Sequence, residues 1–238
     1  MDILVVGNGK MGTVIYKELS QDNSVTIVPD LNCPLLKGFL TESSFDIMLD
    51  FSHPDGIESI ANFSRAENLP AVIGTTGYSD KQFELIGDLG KKVPILYSGN
   101  YSLGVILMER LVRETARILG ADFDIEIIEK HHQHKLDAPS GTAKMLVKAA
   151  NEHLGSNVTY GYESECIDEE KEIAIHSVRA GSIVGEHEIL FASADEVLSI
   201  KHEALSKSIF ARGAIKASEW LIGQEIGLYS MEDVLFGD

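Results

Sequence analysis

Through the first hundred residues, short apolar runs alternate with stretches whose apolar positions recur every three or four residues. The runs predict strands at Ile3–Val6, Val25–Val28, Asp46–Phe51, Ala71–Ile73 and Val93–Tyr97. Between the first two, Met11, Ile15 and Leu19 form one stripe of a helix, and Ile57, Ile60 and Ala61 do the same after the third strand. Ser79 with Gln82 is a capping-box pattern that opens a further helix. Strands apolar on both faces and separated by helices predict a parallel sheet covered on both sides. From Ser102 the pattern changes. A long helix is expected through SLGVILMERLVRETARIL, with Leu103, Leu107, Leu111 and Ile118 on its apolar side. Strands follow at Phe123–Ile128, Ile173–Val178, His187–Phe191 and Val197–His202, with one helix from about Thr142 to His153. Such clustering of strands predicts a mixed or antiparallel sheet in a second domain. The acidic run Glu163–Glu172 is expected to be an exposed loop, a final helix to span Lys207–Leu221, and GLYSMEDVL closes the chain.

Directly after the first strand, GNGKMG (Gly7, Asn8, Gly9, Lys10, Met11, Gly12) fits Gly-x-Gly-x-x-Gly and starts a helix. In that context Gly7 permits the tight turn, Gly9 lets a pyrophosphate approach the backbone, and Gly12 lets helix and strand pack closely. Exposed amides at the helix N-terminus then favour the phosphate charge. Asp30 follows the second strand, where it either accepts hydrogen bonds from the adenosine ribose or only ends a strand in a Pro-Asp turn. GTTG and SGNY follow the fourth and fifth strands, at the carboxyl edge where such sheets bind ligands.

The stretch EKHHQHKLDAPSGTAKML gathers His131, His132, His134 and Lys135 in a chain of 37 acidic and 20 basic residues. A metal site of three histidines lacks any usual ligand spacing, and a surface cluster without a role would suit these residues only if they stood alone. They precede Asp137–Thr142, a rigid turn running into a helix whose first amides can take a carboxylate while His132 or His134 donates further hydrogen bonds. His131 and Lys135 are then available to move or hold a proton. RAGSIVGEHEILF (Arg179–Phe191) is expected to be a hairpin turning at Gly181 and Gly185, with Arg179 paired on the surface.

A net charge of -17 argues against nucleic acid or an anionic membrane as partner. Cys33 and Cys166 make neither a disulfide framework nor a metal spacing. The chain shows no leader pattern and no apolar run of membrane-spanning length, so a cytoplasmic protein is expected.

Together these motifs, with DFSHPDG, SGNYSLGV, RAGSIVGEH and FARGAIKASEWL, resemble the 4-hydroxy-tetrahydrodipicolinate (dihydrodipicolinate) reductases of the diaminopimelate route to lysine, over nearly the whole chain. The resemblance implies an α/β protein: a Rossmann domain of residues 1–102 completed by 213–238, and an α+β domain of residues 103–212 that binds substrate and joins a homotetramer through its mixed sheet. It further implies that a small dicarboxylate is reduced with NADH or NADPH. His131 would give and take a proton and Lys135 would donate one; His132, Gly141 and Thr142 would bind substrate carboxylate. Gly7 to Gly12, Gly74, Thr75, Thr76, Ser98, Gly99, Asn100 and Tyr101 would hold NAD(P). Many members have Gly-x-x-Gly-Arg-Met-Gly, whereas GNGKMG is one residue shorter and carries Lys10 for the arginine. Asp30 stands where some members carry a basic residue for the 2′-phosphate.

Overall fold

The computed structural model describes residues 1–32, 43–120, 122–162 and 172–237. The first strands are β1 (Asp2–Val6), β2 (Ser24–Val28), β3 (Ile47–Asp50), β4 (Ala71–Ile73) and β5 (Pro94–Tyr97). Helices α1 (Lys10–Leu19), α2 (Ile57–Glu67) and α3 (Asp80–Gly90) lie between them. Then come α4 (Leu103–Leu119), β6 (Asp124–His131), α5 (Gly141–Asn151), β7 (Asn157–Thr159), β8 (Glu172–Arg179), β9 (Gly185–Ala192) and β10 (Val197–Ala204). The chain closes with α6 (Ser208–Leu221), β11 (Gly227–Tyr229) and α7 (Met231–Phe236). Cys33, Cys166 and the acidic run, apart from Glu172, lie outside the described residues.

The chain divides into two units, Met1–Leu103 with Lys207–Asp238, and Gly104–Ser206. The later division thus falls just before α6, keeping that helix whole, rather than at 212/213 inside it. In the first unit six parallel strands run β11-β5-β4-β3-β1-β2, and Leu4, Met48, Val72 and their neighbours are fully buried. Continuous apolar strands fit here because helices take both faces. Order reverses between β1 and β3, which is where a doubly wound sheet opens a crevice beyond its strand ends. The C-terminal segment belongs to this Rossmann unit: α6 packs on α1, and β11 adds to β5. Ser79 and Gln82 form the capping box of α3. The short β11 and α7 were not expected, although Ser230 and Asp233 make a legible capping box for α7.

In the second unit the order is β10-β9-β6-β8-β7, with β6 parallel to β8 and antiparallel to β9. Met108, Val112 and Ala116 of α4 and Leu146 of α5 cover one face, against Ile125, Ile127, Ile175 and Phe191. The expected apolar side of α4 is corrected. Leu107, Leu111 and Ile118 are 46, 45 and 65 % exposed, while Val105, Ile106, Met108, Val112 and Ala116 are buried. Two adjacent stripes at four-residue spacing compete on this helix, and packing selects one. The hairpin expected at Arg179–Phe191 is also absent: β6 lies between β8 and β9, so the two strands pair with β6 and not with each other.

Candidate functional site

At the end of β1, Gly7 has φ +103, a conformation that side chains disfavour, and a Cβ there would run into the Phe51 carbonyl. A Cβ on Gly12 would strike the carbonyl oxygen of Gly7. Gly9, which precedes α1, has nothing within 4 Å of an added Cβ, and no side chain caps the helix there. Two glycines therefore serve packing and the third leaves an open approach to a helix N-terminus. Thr13 Oγ1 donates to the Asn8 carbonyl at 3.2 Å and steadies the loop, while Lys10 is exposed and Met11 half-buried. Asp30 is exposed, but its Oδ1 accepts the Asn32 amide at 2.8 Å, so one oxygen already serves a turn.

Across the crevice, β3 ends in Asp50, fully buried and accepting hydrogen bonds from Ser52 Oγ (2.5 Å) and Tyr78 Oη (3.2 Å). Burial pushes its carboxyl up, against those hydrogen bonds. Thr75 Oγ1 accepts the Ser52 amide at 2.8 Å, and a Cβ on Gly74 would strike the Phe51 ring. The Tyr101 hydroxyl donates to the Ile73 carbonyl at 2.9 Å and its ring meets Phe51 at 5.5 Å. Thr75 and Tyr101 thus have side chains turned into the sheet edge, whereas Thr76 and Gly99 are exposed. Ser98 Oγ donates to the Asn100 carbonyl at 2.6 Å, folding that loop on itself.

In the second unit, alternate residues of β6 share one face: Ile125, Ile127, Glu129 and His131, all buried. The register sets His187 of β9 opposite Glu129 and Arg179 of β8 opposite His131. An apolar face therefore becomes ionic at one end of the sheet. His131 Nδ1 lies 2.5 Å from Glu129 Oε2, and Arg179 forks onto the same carboxylate at 2.7 and 2.8 Å. Burial alone would raise the Glu129 pKa, but hydrogen bonds from Arg179, Ser177 and His131 hold it at about 2. Burial lowers His131, with Lys135 and Arg179 adding to the fall and Glu129 opposing it.

The loop after β6 turns back onto this cluster. The Ser140 amide donates to Glu129 Oε1 at 3.1 Å; Ser140 Oγ caps α5 by accepting the Ala143 amide and lies 2.9 Å from His187 Nε2. Burial pushes His187 down to about 4. Gly141 opens α5 with open space over its Cα, and Thr142 follows half-exposed. Lys135 Nζ pairs with Asp137 Oδ1 at 2.8 Å. His132 Nδ1 is buried with no hydrogen-bond partner among the described residues, and His134 is exposed. The three histidines do not converge: His131 turns to Glu129, and the rings of His132 and His134 stand 6.4 Å apart. Among the described residues no group of three metal-ligating side chains occurs.

The family model for the N-terminus of dihydrodipicolinate reductase matches residues 1–101, and the model for its C-terminus matches residues 104–235. The chain belongs to the dihydrodipicolinate reductase family. It is 40% identical over 240 residues to the 4-hydroxy-tetrahydrodipicolinate reductase of Clostridium novyi (strain NT), covering 96% of this chain and 95% of the relative. It is also 40% identical over 230 residues to that of Rickettsia rickettsii (strain Sheila Smith), covering 95% of each. Among solved structures, the dipicolinate-bound dihydrodipicolinate reductase from Paenisporosarcina sp. TG-14 superposes with a TM-score of 0.80 at 23% identity, over 97% of each chain.

Three residues around His131 in this reductase were given no site role from the sequence: Glu129, Arg179 and His187. Arg179 is not a surface ion pair, because its partner carboxylate is 0 % exposed. The available signal was the two-residue spacing of Glu129 and His131, which puts both on one strand face. Nothing in the sequence told which strands flank that face.

Proposed function

We propose that this chain reduces 4-hydroxy-tetrahydrodipicolinate, by way of dihydrodipicolinate, to tetrahydrodipicolinate with NADH or NADPH, in the cytoplasm, on the diaminopimelate route to lysine. One observation carries the chemistry: proton-bearing His131 and the turn that opens α5 are joined within one buried cluster. A small dicarboxylate that must accept a proton suits this arrangement. Its carboxylate would take the helix N-terminus at Gly141 and Thr142 and the unpartnered Nδ1 of His132. Lys135, an ammonium beside Asp137, supplies the proton to ring carbon, and His131 exchanges protons with the same site.

The open cradle over Gly9 fits a pyrophosphate. Gly7 to Gly12 would hold it; Gly74, Thr75, Thr76 and Ser98 to Tyr101 would bound the nicotinamide half; Asp30 would meet the adenosine ribose. When bound, a reduced nicotinamide supplies hydride to C4 of the substrate ring. The protein supplies orientation and charge.

A homotetramer joined through the mixed sheets is part of this proposal. The sheet face turned from α4 and α5 supports it, since Ile128, Val178 and Leu190 stand there beside an ionic cluster in which Lys130 and Lys201 lie 2.7 and 3.0 Å from Glu186. Light scattering giving the mass of a single chain would refute that assembly.

A 2′-phosphate beside Asp30 would meet like charge, partly offset by Lys10 and screened by solvent. The expected outcome is use of both cofactors with a lean toward NADH, and a gain for NADPH in Asp30→Arg. The test follows NADH and NADPH oxidation with enzymatically generated substrate, in wild type and that variant. No substrate-dependent oxidation of either cofactor would end the proposal; a clear NADPH preference in wild type would leave Asp30 to its turn.

A further inference from the structure

Glu129 is an expensive residue to keep where it is. The two residues before it on the same face of β6 are Ile125 and Ile127, and its own side chain is 0 % exposed. A buried ion pair is often no more stabilising than apolar side chains of similar size, so stability alone gives little reason for Glu129 and Arg179. Their geometry gives another. The carboxylate accepts from Arg179 (2.7 and 2.8 Å), from His131 Nδ1 (2.5 Å) and from the Ser140 amide (3.1 Å). An ionised carboxylate only accepts, so Nδ1 of His131 must carry a hydrogen. The other nitrogen, Nε2, then holds the lone pair in the neutral ring. That edge faces Gly185, where a Cβ would approach Nε2 to 3.1 Å. On its remaining side the ring meets His187 edge-on at 5.1 Å.

We propose that Glu129, held by Arg179, is the positioning residue for proton transfer: it sets His131 as the Nδ1–H tautomer, leaves Nε2 for the substrate, and ties that ring to the turn that takes the substrate carboxylate. The inference rests on the proposal that His131 moves a proton. Its two carboxylate oxygens divide the work, Oε2 holding His131 and Oε1 holding Ser140, the residue that caps α5. Rotating the carboxylate away from the histidine would therefore also loosen the anion-binding turn. Proton donor and carboxylate receptor are set by one group.

The test uses the full-length chain in steady-state assays, with thermal melting beside them. In Glu129→Gln, kcat is expected to fall by roughly a hundredfold, the low end of what an acid–base group contributes, with KM for the dicarboxylate raised and KM for the dinucleotide unchanged. Adding His131→Gln should then cost little more, because the two act as a unit. Glu129→Gln leaves the half-buried Arg179 without its counter-charge and can lose stability. The double variant Glu129→Gln with Arg179→Met removes both charges; its melting temperature is expected to recover while kcat stays low. Recovery of kcat together with stability would reduce the pair to a structural role and overturn the inference. So would full additivity of Glu129→Gln and His131→Gln. If His131→Gln alone leaves kcat intact, it is the role of His131 that fails.

Discussion

Single side chains in the second unit divide by the partner each has found. His131 and Lys135 both carry a proton, yet one is buried against a carboxylate and the other is paired near the surface. Replacing His131 by Gln or Lys135 by Ala is expected to lower kcat by about 10²–10⁴. Binding of NADH, measured by fluorescence titration, should stay as in wild type, because the glycine turn belongs to the other unit. Unchanged turnover in both variants would remove them from the chemistry. At this scale the sequence was readable where residues are neighbours in the chain, as in His131–Lys135 and Ser140–Thr142. Arg179 and His187 were not readable, being 48 and 56 positions from His131 and brought to it only by strand register.

The glycine turn shows how one element can hold residues with opposite tolerance. Gly7 combines a positive φ with a neighbouring carbonyl, and Gly12 has a carbonyl where a Cβ would stand. Gly9 has open space. Gly7→Ala is therefore expected to destabilise the fold by about 1–3 kcal/mol or more, as strained positions do. Gly9→Ala should melt near wild type but bind the dinucleotide more weakly. Thermal melting with and without NADH separates the two; equal loss of stability in both would mean that Gly9 is structural. The turn itself was legible because strand, glycines and helix are contiguous. The apolar side of α4 was not, since Leu107–Leu111 and Met108–Val112 offer the same spacing and only the sheet beneath decides between them.

For the whole molecule, buried ionisable groups set the response to acid. His187, pushed down to about 4 from 6.5, binds its proton less readily folded than unfolded. Its contribution is complete above pH 6.5 and is lost as pH falls toward 4. Glu129, held at about 2 from 4.5, contributes above pH 4.5 and loses that as pH falls toward 2. Each shift corresponds to roughly 3 kcal/mol by linkage. His131 and His202, both lowered by burial, act in the same direction as His187. Urea unfolding should thus show stability declining on acidification from pH 7 to 4, with His187→Gln flatter over that interval. An equally steep variant would move the effect to other groups.

What the sequence determined by itself is what short-range rules encode. Apolar runs and helical stripes specified an α/β unit followed by a strand-rich one, glycine spacing specified the strand–turn–helix at the N-terminus, and the motifs together specified the family. What only the tertiary structure decided is pairing between distant strands. The insertion of β6 between β8 and β9 separated the two strands of the expected hairpin within the expected mixed sheet and moved Arg179 from an imagined surface pair onto a buried carboxylate. The physical reason is that a strand's hydrogen-bonding edges accept any strand of suitable length. The partner is chosen by the summed burial of both faces, a property of the assembled sheet that no local stretch of chain contains.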